Sequence, residues 1–172
     1  MIESSLTLYK LIILYMLNKV SFPLTNAQIS EFVLDAGYTN YFHLQQAISE
    51  LSDSNLVTTE TIRNTTYYNM TEDGQETLDF FGKEISEDIR NEIDSYLKTN
   101  AYEMRNEAST VADYYKTTSQ EYEVRCQVKE RTGKLIELTL TVPTEDAAKA
   151  ICYQWPEKSQ EIYAYLMKVL LK

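Results

Sequence analysis

Between Thr25 and Gly74, caps and breakers recur at intervals that leave room only for short elements of different kinds. Thr25 followed three residues later by Gln28 is a capping-box pattern, in which the hydroxyl accepts from the Gln28 backbone and the amide reaches back. It opens a helix that Gly37 ends. Thr39 offers a second N-cap, and Leu44, Ala47, Ile48 and Leu51 then recur at helical spacing on one face, predicting a helix over 39–54. Asn55 stands where a chain leaving a helix often turns left-handed, which Asn tolerates better than most residues. Leu56 to Ile62 and Thr66 to Met70 are rich in β-branched and aromatic residues, and Arg63-Asn64-Thr65 between them is short and polar enough for a hairpin tip. Helix, turn, helix and hairpin in this order predict a winged helix-turn-helix, with 39–54 as the recognition helix and 63–65 as the wing.

On a helical wheel, the face of 39–54 opposite Leu44, Ile48 and Leu51 carries Phe42, Gln46 and Ser49, with His43 and Gln45 on its flanks. Gln can bond the paired acceptor and donor of adenine, and Phe can press on a thymine methyl, so sites containing A·T pairs are expected. Phe42, His43, Gln45 and Gln46 are the candidate base readers. Asn40, Ser49, Arg63 and Asn64 are the candidate positioning contacts, mostly to phosphate. Alternatives stay open at two positions: Tyr41 packs at the core edge or meets phosphate, and Phe42 reads a base or buries against the first helix or a second chain.

Charge opposes this reading. The formal charge of the 172 residues is -10, and residues 1–85 hold four bases against eleven acids, a net -7. Neutralising phosphate supplies most non-specific affinity, so an acidic surface is repelled by a duplex. Ala36 to Ser49 contains no acid, however, and neither does Thr61 to Thr71, which carries Arg63. The alternative function is an acidic winged-helix scaffold that binds proteins and not DNA. An enzyme has no residues to work with: His43 is the only histidine, and four glycines provide no phosphate-cradling loop. Cys126 and Cys152 are too few and too far apart for a zinc motif and read as reduced thiols. No metal, cofactor or catalytic residue is expected. Asn64-Thr65-Thr66 and Asn69-Met70-Thr71 match the glycosylation pattern, which carries no weight without a secretory signal, and none is visible.

The run from Ala47 to Val57 resembles the recognition-helix exit of PadR-like and MarR-like bacterial regulators, with Asn55 where they usually have Gly. Tyr68 to Gly74 is similar to their strand-to-helix exit after the wing. With Lys10 to Leu17, Phe22 to Asn26, Tyr38 to Phe42 and Ala112 to Lys116, the whole chain resembles a bacterial domain-of-unknown-function family of winged-helix proteins. The resemblance implies the fold, and a regulator by analogy.

Around this module the chain divides into 1–82, a helical connector over 83–101, and 102–172. A helix from about Ser5 to Lys19 is apolar nearly all round, but its apolar run Leu11 to Leu17, between Lys10 and Asn18-Lys19, is far short of the roughly 20 residues a membrane span requires, so it is a buried helix. After Thr71 a helix reaches about Gly82, and another runs from Ser86 to about Lys98 with Ile89, Ile93, Tyr96 and Leu97 on one face. The period then changes to two: Tyr122, Val124, Cys126 and Val128 alternate with polar residues, as do Ile136, Leu138, Leu140 and Val142. Thr132-Gly133 joins these strands, and Ala108 to Lys116 supplies a third. Thr144 starts a helix that should stop near Trp155 ahead of Pro156. A last helix, with Ile162, Leu166, Val169 and Leu170, should cover the sheet. The expected class is α+β: a winged helix-turn-helix followed by a small three-stranded antiparallel sheet capped by two helices. This second module could dimerise the chain or bind a small-molecule or protein effector. The expected partners are duplex DNA and a second copy, in the cytoplasm and away from membranes.

Overall fold

The apolar N-terminal run becomes the centre of a core. In a computed structural model, which describes residues 2–130 and 133–172, α1 (Ile2–Lys19) buries Leu11, Ile12, Ile13, Leu14, Met16 and Leu17. Four consecutive buried residues leave no solvent face there, so α1 is covered on all sides over Leu11 to Leu14. The architecture is mixed α+β, with six α-helices and two three-stranded antiparallel sheets among the described residues. Two compact units divide the chain, one ending at Met104 and one spanning Arg105 to Lys172. No helix among the described residues is long and apolar enough to cross a membrane.

In the first unit, α2 (Asn26–Asp35) carries the expected capping box at Thr25 and Gln28. Gly37 ends it at φ +76, with the Tyr38 N–H reaching the Val33 carbonyl and the Gly37 N–H that of Leu34. Asn55 closes α3 (Tyr41–Asp53) in the same way, at φ 58, with Leu56 N–H to Leu51 O at 3.0 Å and Asn55 N–H to Ser52 O at 3.1 Å. Both are Schellman closures, built on Gly and on Asn, the two residue types that take the left-handed step most readily. The start of α3 differs from expectation. Its cap is Asn40, whose Oδ1 accepts the His43 N–H at 2.9 Å, because Asn caps at least as well as Thr and sits one residue closer to the helix.

Strands β2 (Val57–Ile62) and β3 (Thr65–Met70) pair from Val57↔Met70 to Ile62↔Thr65, so Thr65 belongs to the strand and the turn is Arg63-Asn64 alone. Both turn residues have positive φ, 48 and 65, as in the mirror-image turns that match strand twist. The two-residue strand β1 (Leu24–Thr25) adds to β3, giving the order β1-β3-β2. Thr71 caps α4 (Glu72–Phe81), accepting from Gly74 N–H at 3.0 Å while donating to the Asn55 carbonyl at 2.8 Å, which fastens the α3 exit to the α4 start.

After a short 3-10 turn (Gly82–Glu84), α5 runs from Glu87 to Ser109, well past the expected end near Lys98. No Gly or Pro interrupts it, and Met104 extends the row of Ile93 and Leu97 into the same core. Residues 87–104 therefore pack with the first unit. The Tyr15 hydroxyl donates to Asp94 at 2.9 Å and that of Tyr38 donates to Glu92. Burial and the carboxylate acceptor push the Tyr15 hydroxyl up to about 12, and the same two causes raise Tyr38.

In the second unit β4 (Thr110–Lys116), β5 (Tyr122–Glu130) and β6 (Gly133–Val142) form a sheet in that order, with Ala112↔Cys126↔Leu138 and Tyr114↔Val124↔Leu140 in register. Thr132, at the expected join, lies outside the described residues. Two expectations fail beyond this point. The chain from Glu145 to Leu170 is a single helix, α6, with Pro156 inside it. A proline removes one helical bond and crowds the preceding turn, yet Ala148, Cys152, Trp155 and Ser159 form one buried row across position 156. The indole N–H of Trp155 also donates to the Gln127 carbonyl at 3.0 Å, so the turn before the proline is held by the sheet. The cover on the sheet is thus one helix rather than two. It ends near Ile162: Leu166 is half-buried, and Val169 and Leu170 are exposed.

Candidate nucleic-acid interface

Helix α3 is two-sided. Leu44, Ala47, Ile48 and Leu51 are buried in the first core, while Tyr41, Phe42, His43, Gln46 and Ser49 are exposed. Phe42 is 82% exposed, an unusual position for a phenyl ring, and its only ring neighbour among the described contacts is the edge of Tyr41 at 6.3 Å. Burying the inner row against α1 fixes the rotation of α3, so the outer row is a rigid display.

Gln45 behaves differently from its neighbours. Its amide forms a reciprocal pair with Asn26, through Asn26 Nδ2 to Gln45 Oε1 at 2.9 Å and Gln45 Nε2 to Asn26 Oδ1 at 3.1 Å, with Ser30 Oγ at 3.4 Å. Asn26 Nδ2 also reaches the Tyr68 hydroxyl at 3.4 Å. These contacts tie α3 to α2 and β3 and place Gln45 as a strut between elements. The wheel separated an inner face from an outer one but did not show that the flank meets α2. Asn26 and Ser30, four residues apart on α2, were the available signal. Asn40 is exposed with its Oδ1 committed to the cap, and Tyr41 lies on the outer face rather than in the core.

Arg63 and Asn64 are exposed at the tip of the hairpin. Ile62, the residue before the tip, stands about 17 Å along β2 from the buried Val57, at roughly 3.3–3.4 Å per residue. The first turn of α3 has no acidic residue, whereas that of α4 holds Glu72 and Asp73. Glu50, on the inner flank of α3, lies 3.6 Å from the Lys10 ammonium.

Among the described residues no group of three His, Cys, Asp or Glu side chains is placed to hold a metal ion. Cys126 and Cys152 are buried in the second core and form no disulfide. Burial, and secondarily the neighbouring Cys152, pushes the Cys126 thiol up to about 11, which is the reverse of what an activated nucleophile needs.

A family described as Domain of unknown function (DUF4364) matches residues 9–170, from α1 to the last turn of α6. The chain belongs to this family. No curated protein and no solved structure matches it. The family match spans the α2–α3 pair, the hairpin and the second unit together, so these parts are shared as one arrangement of sequence rather than as an isolated motif.

Proposed function

We propose that this member of the family is a DNA-binding transcriptional regulator that acts as a homodimer. In this reading α2 and α3 are a helix-turn-helix, α3 is the recognition helix, the β2–β3 hairpin is a wing, and the likeness to PadR-like and MarR-like regulators is one of fold. The observation that carries it is the outer row of α3: Phe42, His43, Gln46 and Ser49 exposed on a helix whose other face is locked in the core.

Each residue then has a task set by its chemistry. Gln46 presents a paired donor and acceptor that match the adenine edge in the major groove, and Phe42 meets a thymine methyl. His43 and Ser49 supply hydrogen bonds beside them, with Ser49 toward the backbone. Backbone N–H groups in the first turn of α3, with Asn40 at its cap, face phosphate at the positive end of the helix dipole. Arg63 and Asn64 reach phosphate or the minor groove from the tip. Gln45 keeps α3 at a fixed angle to α2 rather than reading a base. A two-fold pair would read half-sites roughly 34 Å apart.

A second reading rests on the net -7 of residues 1–85: an acidic winged-helix scaffold for a protein partner, for which the same exposed aromatics would serve as anchors. Anisotropy titrations of a labelled mixed-sequence duplex over a range of salt separate the two. The regulator predicts binding at low salt, weakened in Arg63→Ala with a salt slope reduced by about one unit. No binding by the folded protein at the lowest salt would favour the scaffold.

A further inference from the structure

The last two turns of α6 are apolar on nearly every side, and among the described residues of the second unit none covers their outer rows. Tyr165 is 64% exposed, Val169 48%, Leu170 69% and Leu171 79%, with Leu166 and Met167 half-buried between them. From Tyr165 onward the only charges are Lys168 and Lys172. A contiguous apolar surface of this kind marks an interaction site. The buried row that ends at Ile162 continues at helical spacing through Leu166 to Val169 and Leu170, so part of this surface extends the amphipathic stripe, and Tyr165 widens it.

We infer that this segment pairs with the same segment of a second copy, antiparallel and about a two-fold axis near Ala164 and Tyr165. Ile162, Tyr165 and Val169 are spaced by three and four residues, the repeat that lets one helix seat along another. Glu161 and Lys168, seven residues apart, lie on one side of that seam. Both acids come early along the segment, Glu157 and Glu161 with Lys158 between them, and Lys168 and Lys172 come last. Antiparallel pairing brings each Glu161 to Lys168 of the other copy and each Glu157 toward its Lys172, whereas parallel pairing sets like charges together. A two-fold contact requires this self-complementarity. In the single chain Glu161 already has Lys158 at 3.7 Å, so the second copy's lysine joins an existing pair at the rim. Charge also selects the place. The chain as a whole is -10 and repels its own copy, but residues 157–172 hold three lysines against two glutamates, a net +1.

The inference supplies the contact for the homodimer proposed above and does not depend on DNA. It is tested by sedimentation equilibrium of the full chain, without nucleic acid, over a wide concentration range. The expected result is a monomer–dimer equilibrium that Val169→Glu abolishes. Glu161→Lys and Lys168→Glu each weaken it about tenfold, a difference of about 1.4 kcal/mol, and the double variant regains most of the affinity. All three substitutions fall on exposed positions, and Trp155 fluorescence checks that the second core is intact. A monomer at every concentration, a dimer indifferent to Val169→Glu, or a double variant no better than the singles overturns the inference. A DNA-binding monomer would overturn it while leaving the reading of α3 in place.

Discussion

Gly74 shows how much a single position can hold. A Cβ built on it would lie 2.2 Å from the Leu56 carbonyl oxygen and 2.8 Å from Met70 Cγ, so the start of α4 rests directly on the backbone leaving α3. Ala is the better helix former by about 1 kcal/mol, but a backbone oxygen cannot swing aside as a side chain can. Gly74→Ala should therefore lower stability by at least about 1 kcal/mol in urea denaturation, and Gly82→Ala, whose Cβ meets Leu78 Cδ1 at an ordinary 3.5 Å, should not. Cys126 makes a prediction in pH. Its buried thiol ionises near 11 and an unfolded one near 9, so between these values the unfolded chain gives up its proton first. Stability from this group is intact below about pH 9 and falls as pH rises toward 11, which thermal melts across that range can measure. The same protonated, buried thiol should react with a thiol reagent at pH 8 far more slowly in the native protein than in the denatured one.

Elements that are closed by their own residues were legible in the sequence. Thr25, Gly37, Asn55 and Thr71 act through hydrogen bonds within a few positions, and the helices and strands they bound fall where their spacing predicts. Elements decided by distant packing were not. Pro156 signals a break that the buried row from Ala148 to Ser159 overrides, and nothing local marks how far α5 continues toward Ser109. Asn40 took the cap assigned to Thr39 because two good capping residues stood side by side. Within the candidate site, the wheel assigned Phe42, Gln46 and Ser49 to the exposed face, while the engagement of Gln45 with Asn26 needed the neighbouring helix to be seen. The cost of Pro156 can be recovered: Pro156→Ala restores a helical bond in α6 and should raise stability by up to about 3 kcal/mol in urea unfolding followed through Trp155. An unchanged midpoint would mean that the helix is already bent to suit the proline.

At the scale of the whole molecule, the first unit displays one face of α3, and the second ends in a helix whose last turns expose Tyr165, Val169 and Leu170. An overall -10 makes any duplex contact depend on a few acid-poor surfaces, so affinity should rest on base reading and on Arg63 more than on a broad basic field. The measurement that tests this most directly is selection from random duplexes on the purified protein at moderate salt, followed by sequencing and repeated with Gln46→Ala and Arg63→Ala. The account predicts enrichment of a two-fold-symmetric site containing A·T pairs, lost with Gln46→Ala and weakened with Arg63→Ala. No enrichment by a folded protein, or the same enriched site with all three proteins, would contradict the assignment of α3 as a DNA-reading helix.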